Sequence, residues 1–429
     1  VSETLTLSTL KDAVKSAAAF RSRITLQPAG GAGTKVFPPT YAGAVYATER
    51  RRLPSHDQPV DCVLLDSVQS QANRMEDALQ QAVDVGRLEI PIVEVDFTPY
   101  FPGDDELDKK GMRLLDPVGK VSSLQAPHRI ADAILRDSCL NGTSFRQSEL
   151  GRRIGMVSIH DATALFESCP TALVFGMWDS TGPKGGLGAK FERAMVSEIV
   201  GINAVYGVKT GSRIDPLGIQ KNAGPLYAAK DGGWTIDEAS AKRKKNKVVM
   251  LGKDGKPSEA NHGNVTPSLS DRSRETNEYL AGGVTIDHAE QTAVLSLPAL
   301  RRLRFPINGE FDPRADDAAR TVLASLGLCA AALAAENGLD LRSRCLLWPT
   351  EPLGWELLGK PGEPPTELEL DADAAISILR EAVEHAKGLG LPWLNEPLVL
   401  TPSDELVKLV VKSQQLAVEQ GGESSEGGA

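Results

Sequence analysis

Leu64-Leu-Asp-Ser-Val-Gln-Ser-Gln-Ala-Asn-Arg-Met-Glu-Asp-Ala-Leu79 sets a row of amides and an arginine on a stretch with helical periodicity. Asp66 or Ser67 can cap its start, because a short side-chain oxygen there accepts from a free backbone N–H of the first turn. Val68, Ala72, Met75, Leu79 and Ala82 recur every three or four residues, which predicts one buried face. Gln69, Asn73, Glu76 and Gln80 form a second face, and Ser70, Gln71 and Arg74 fill the first turns between them. Backbone N–H groups at a helix start favour an anion, so this surface suits phosphate, ribose hydroxyls and base edges. A plainly solvated helix face is the competing reading.

Outward from this helix, the alternation from Phe20 to Gln27 predicts a strand that ends at the turn Gly30-Gly-Ala-Gly33. Ile90 to Phe97 and Gly119 to Leu124 read as hairpin arms around a polar loop at Asp104 to Lys110, and Ala126 to Leu135 reads as a helix. Thr171 to Trp178 is a continuous apolar run with the length of a buried strand, and Lys190 to Val200 reads as a helix opened by a glycine-rich loop. From Lys221 to Gly283 the chain is polar, glycine-rich and basic, with little periodicity. Order returns at Val284-Thr-Ile-Asp and Gln291 to Leu297, then in the helical Ala315 to Glu336 and a short strand from Leu341 to Trp348. This order predicts an α+β fold with a ferredoxin-like, RRM-like βαββαβ core within residues 1–350, carrying insertions near 88–160 and 215–283. Helices near Asp371 to Lys387 and Ser403 to Glu419 predict a C-terminal appendage over 351–420, with a disordered tail over 421–429.

The formal net charge of −10 is unevenly placed. Residues 361–429 hold 13 acids against 4 bases, which leaves −1 for everything before them, whereas residues 180–260 hold 14 bases against 8 acids. Local charge decides phosphate binding, so the acidic total does not exclude a nucleic-acid partner. Five widely spaced cysteines without a CxxC pair argue against a disulfide framework or structural zinc and predict a reducing, cytoplasmic setting. The first residues lack the pattern of a signal peptide, and no stretch approaches the roughly 18 consecutive apolar residues of a membrane helix.

Three blocks carry a family likeness when taken in order. They are Arg21-Ser-Arg-Ile-Thr-Leu-Gln-Pro-Ala-Gly-Gly-Ala-Gly-Thr-Lys-Val-Phe-Pro-Pro-Thr-Tyr41, the amide-bearing segment above, and Ala172-Leu-Val-Phe-Gly-Met-Trp-Asp-Ser-Thr-Gly-Pro-Lys-Gly-Gly-Leu-Gly-Ala-Lys-Phe-Glu-Arg-Ala-Met-Val-Ser-Glu-Ile-Val200. Together they resemble the backbone subunit of the type I-G (formerly I-U) CRISPR Cascade complex, of the Cas-seven group in the RAMP superfamily. The resemblance runs from about Leu10 to about Pro349 and is specific at these blocks. It implies a non-catalytic subunit that lines up in head-to-tail copies along a CRISPR guide RNA (crRNA) and presents it for pairing with target DNA. Further implied partners are a guide-processing, capping Cascade subunit, the large Cascade subunit and a recruited helicase-nuclease; no membrane is implied.

Guide contacts are expected at Arg21, Arg23, Lys35, Gln69, Ser70, Gln71, Asn73, Arg74, Arg129 and Trp178 and, from the glycine-rich loop onward, at Lys184, Gly186, Lys190 and Arg193. Physically that loop suits an anion: small residues let backbone approach phosphate, a following helix offers N–H groups at Ala189 to Phe191, and the lysines and arginine supply charge. A tight turn made for packing is the alternative. Lys242, Arg243, Lys244, Lys245 and Lys247 are expected in a thumb that presses on RNA or the next subunit, against the alternative of a solvated charge run.

Neither glycine-rich segment fits a nucleotide-binding fingerprint: Lys35 is followed by Val36, and Gly185-Gly-Leu-Gly-Ala-Lys190 fails both the P-loop and dinucleotide spacings. The six histidines are scattered, so no metal or cofactor is expected. Two alternatives remain: a metal-dependent ribonuclease cleaving guide-paired target RNA through loop acids such as Asp104, Asp105 or Asp179, or an assembly protein without RNA contact.

Overall fold

The computed structural model describes residues 3–54, 56–101, 105–182, 185, 188–270 and 281–423, with side chains as far as 418. They form two units, one of residues 1–99, 118–205 and 283–406, the other of residues 100–117, 206–282 and 407–429.

The first unit is organised by a sheet in which Ala19–Pro28 lies between Gly354–Leu358 and His288–Ser296. His288–Ser296 pairs in turn with Met195–Ile202, all antiparallel. With the helices Val68–Asp84 and Pro313–Glu336, the chain order is strand, helix, strand, strand, helix, strand, and the spatial strand order is fourth, first, third, second. This is the expected ferredoxin-like α+β arrangement. Val60–Asp66 and Thr48–Arg51 extend the sheet beyond Met195–Ile202.

Strand alternation separates the two faces. Phe20, Ser22, Ile24 and Leu26 are buried beneath the helices, while Arg21, Arg23, Thr25 and Gln27 lie on the opposite, more accessible face. The Pro313–Glu336 helix supplies Val322, Leu323, Leu326 and Leu328 to the core. By length and composition it could cross a membrane, which corrects the reading that no segment qualifies; 89% of its apolar window is buried inside the fold. Truncating one of these leucines would cost about 2–5 kcal/mol, from lost transfer energy and the cavity left behind.

Three core assignments differ from expectation. The fourth core strand is Gly354–Leu358, beyond the expected core bound at 350, while the expected strand from Leu341 to Trp348 forms as Leu346–Pro349, paired with Leu26 to Pro28. Lys190 to Val200 is not a helix: Lys190–Phe191 and Met195–Ile202 are strands, the second being the missing core strand. It carries the β-branched Val196, Ile199, Val200 and Ile202 and pairs from Met195 with Leu295 to Ile202 with His288. Thr171 to Trp178 is not a buried strand but a short helix, Thr171–Phe175, followed by Gly176 at φ +86° and the strand Met177–Trp178. A short, wholly buried apolar run has no solvent-facing period from which to tell strand from helix.

The hairpin arms form as Val93–Asp96 and Lys120–Ser122, in a second sheet with Leu398–Pro402. The expected helix from Ala126 to Leu135 is instead a 3-10 turn, Arg129–Ala131, and a short helix, Ala133–Arg136, whose Asp132 cap accepts from the Ile134 N–H at 2.9 Å. Residues 354–358 and 366–369 join the central sheet, and Ala372–Gly388 packs on Pro313–Glu336, so this part of the expected appendage belongs to the core unit. Arg87 ties the two helices together through Glu336 and Asp373, both at 2.8 Å.

In the second unit Lys209–Arg213 pairs antiparallel with Val265–Ser270, and the chain between them forms two small hairpins, Tyr227–Ala228 with Trp234–Thr235 and Arg243–Lys244 with Lys247–Val248. Helix Asp404–Glu423 enters the expected tail, and residues 424–429 lie outside the described residues.

Candidate nucleic-acid interface

Ser67, not Asp66, caps the amide-bearing helix, its hydroxyl accepting from the Ser70 N–H at 3.2 Å. Asp66 is wholly buried and accepts from Ser70 at 2.8 Å, the Gln71 amide at 2.7 Å, Arg74 Nε at 2.9 Å and Arg342 at 3.2 Å. Gln71 is buried as well, its oxygen accepting from Ser197 at 2.8 Å and Gln291 at 2.9 Å. Arg74 also donates to the Leu341 carbonyl at 2.6 Å. Ser70, Gln71 and Arg74 therefore satisfy an internal carboxylate, which corrects their reading as RNA contacts; donors already engaged by a buried charge are costly to withdraw. Gln69 and Asn73, on the outer side of the same helix, are exposed.

One turn further, Glu76 is buried and receives a bidentate pair from Arg129, with both contacts at 2.7 Å. Burial pushes the Glu76 carboxyl up to about 7, against the pull of Arg129. Arg129 is itself buried, corrected from a phosphate contact to a structural group, and its Nη1 donates to the Gly176 carbonyl at 2.9 Å.

Gly176 leads into the hairpin of Met177–Trp178 and Lys190–Phe191. Trp178 and Lys190 are cross-strand partners; the tryptophan is 58% exposed and the ammonium lies 5.8 Å from its ring centroid. The loop between the strands closes through the Asp179 N–H to the Ala189 carbonyl at 3.0 Å, so it is a hairpin turn and not a helix start. The expected helical N–H groups at Ala189 to Phe191 are accordingly absent as an anion site. Gly182 and Gly188 lie so close to Asp179 that a Cβ on either would collide with it, which gives the turn a packing reason for glycine. Lys184 and Gly186 lie outside the described residues. Arg193, just past the hairpin, is exposed, and among the described residues no carboxylate forms an ion pair with Lys190 or Arg193.

The opposite sheet face is different. Arg21 pairs with Glu356 at 2.7 Å, Arg23 with Glu290 at 3.1 Å and Arg51 with Glu198 at 2.8 Å. Its central positions carry no aromatic side chain, so it lacks the stacking platform of an RNA-recognition sheet. Trp348, opposite Gln27 at its border, is 63% exposed, and Arg344 lies 4.0 Å over the Phe37 ring; neither was legible as a surface group without the sheet register. Lys35 is half-buried, its stem packed near Gly283.

Asp179 is held by Arg146 at 2.8 Å and Asp105 starts a short exposed helix, while Asp104 lies outside the described residues. Among the described residues no group of three metal-binding side chains converges. In the second unit, Lys245 at φ +50° and Asn246 at φ +64° make the two-residue turn of the basic hairpin. Lys242, Lys244, Lys245 and Lys247 are exposed without an ion pair among the described residues, and Arg243 lies 3.9 Å from Glu238.

Fold and surface together define an α+β protein with a ferredoxin-like core, which offers an indole, an ammonium, a guanidinium and two amides to solvent around one helix and one hairpin. Residues 20–206, which contain this surface, match the family model of CRISPR-associated protein GSU0053. No curated protein matches. Among solved structures, the crystal structure of Thermofilum pendens Csc2 aligns over 99% of this chain and 90% of that chain at 11% identity, with a TM-score of 0.27, too low to argue from.

Proposed function

We propose that this chain is the guide-RNA-binding backbone subunit of a CRISPR Cascade complex, of the type I-G class that its three sequence blocks resemble. The observations that support it best are the exposed Trp178, Lys190 and Arg193, whose two cations form no ion pair among the described residues, and the exposed Gln69 and Asn73, all within the segment similar to a CRISPR-associated family. An exposed indole suits a base face, two cations suit phosphates, and amides suit ribose or base edges. In this reading the subunit holds the guide and leaves its Watson–Crick edges to the target strand. It acts without catalysis or cofactor, in the cytoplasm, in head-to-tail copies with the capping subunit, the large subunit and a recruited helicase-nuclease as partners. The basic hairpin at Lys242 to Lys247 presses on RNA or on the next copy.

Co-expression with a repeat-spacer transcript tests the proposal: a large ribonucleoprotein containing nuclease-protected RNA is expected. A protein that stays small and free of RNA would refute it. Cleavage of guide-paired RNA with divalent metal would favour the ribonuclease alternative.

A further inference from the structure

Arg129 stands in an unusual place for a residue expected on the surface. Its backbone is left-handed at φ +53°, its side chain is 8% exposed, and both ends of its guanidinium are engaged. A bulky residue pays for positive φ in backbone strain, so such a conformation persists where several contacts over-determine it. Here the contacts are known: two hydrogen bonds to Glu76 on the amide-bearing helix, one to the Gly176 carbonyl, and the Phe175 ring 5.7 Å away.

Gly176 is equally constrained. Its φ of +86° excludes most side chains, and a Cβ there would sit 3.1 Å from the Arg193 Cγ and the Phe191 carbonyl. The residue after it begins the strand that carries Trp178, paired through Met177 with Phe191 and through Trp178 with Lys190. Arg129 thus joins the helix bearing Gln69 and Asn73 to the hairpin bearing Trp178 and Lys190. At 1.5 Å per residue, Asn73 is about 4.5 Å along the helix from the clamp.

We propose that Arg129 and Glu76 are positioning residues: their buried pair fixes the Gly176 carbonyl and so sets the angle at which Trp178 and Lys190 meet RNA. This inference rests on the RNA-binding reading given above. The charged and titratable groups facing Glu76 are Arg129 from the 3-10 turn, Arg193 beside the hairpin, Asp77 on its own helix and Cys169 before the short helix. Arg129 dominates the favourable contacts because it touches the carboxylate twice.

The test uses the full-length chain, a single-stranded oligouridine as probe, and hydrogen exchange across residues 177–191. Arg129→Lys keeps the charge but cannot bridge Glu76 and Gly176 together, and Glu76→Gln with Arg129→Met removes the pair without leaving a buried charge. Both variants should fold, show faster exchange at Met177 and Phe191, and bind about tenfold more weakly, the scale of a lost charge-assisted hydrogen bond. Trp178→Ala with Lys190→Ala is the control for the binding reading. If that control leaves affinity unchanged, the RNA-binding reading fails, and the positioning role with it. If the control weakens binding while both pair variants keep wild-type exchange and affinity, the positioning role alone is overturned.

Discussion

The open sheet face and the Trp178 hairpin both carry basic residues that the sequence marks alike, yet they differ in availability. Arg21, Arg23 and Arg51 each form an ion pair with a glutamate across the sheet, whereas among the described residues Lys190 and Arg193 form none, although the buried Glu76 acts on Arg193 electrostatically. A cation already neutralised by a neighbour must give up that partner before it takes a phosphate, so equal charge does not mean equal affinity. The amide-bearing helix shows the same division within one element. Its Asp66 side is consumed internally, and its Gln69 and Asn73 side is exposed.

The most severe break of this contrast is Asp66→Ala. It leaves Arg74, Arg342 and Gln71 without the buried carboxylate they share, and should destabilise the fold by about 3–5 kcal/mol in urea unfolding. A loss below 1 kcal/mol would mean that these donors are not committed and could serve RNA after all.

The buried Glu76 provides a pH test. Its folded pKa, about 7, lies above the ordinary carboxylate value, so between those values the folded state holds more protons than the unfolded one. Its contribution is therefore fully present below the ordinary value and is lost as pH rises through about 7. Stability measured from pH 5 to 8 should fall more steeply in wild type than in Glu76→Gln with Arg129→Met; parallel curves would show that Glu76 does not titrate in this range.

On the exposed side, Trp178→Ala should weaken oligouridine binding by about 1–3 kcal/mol through lost stacking. Unfolding curves should hardly change, because the ring is in solvent. Lys190→Ala with Arg193→Ala should reduce the log–log salt slope by roughly 1.4, two phosphates' worth on a single strand. Arg21→Ala with Arg23→Ala should leave that slope within error. An equal drop in both pairs would erase the distinction between the two faces.

The smallest effect is expected from Gln69→Ala with Asn73→Ala, about 1 kcal/mol in affinity with no change in salt slope, since neither residue is charged. No change in affinity would return that helix face to plain solvation.

Where the period was long, the sequence was readable. The helix Val68–Asp84 and the strand Ala19–Pro28 present a clear apolar face, Pro313–Glu336 is apolar along its length, and the order of these elements already implied the βαββαβ core. Met195–Ile202 was masked by a neighbouring glycine-rich loop that mimics a helix start, and Thr171–Phe175 by burial on every side. For the candidate site, Trp178, Lys190 and Arg193 could be named from the third sequence block, but Glu76 and Arg129 could not be paired, because 53 residues separate them.

Local patterning by itself determined which segments fold as the principal helix and strand, where the basic and acidic stretches fall, and which residues have the chemistry to touch RNA. Only the tertiary structure decided which of those residues are free to do so. Hydrogen-bond partners come from distant parts of the chain: Glu356 for Arg21, Arg342 for Asp66, Arg129 for Glu76. A side chain's charge is written in the sequence, whereas its availability depends on which opposite charge the fold brings within hydrogen-bonding distance.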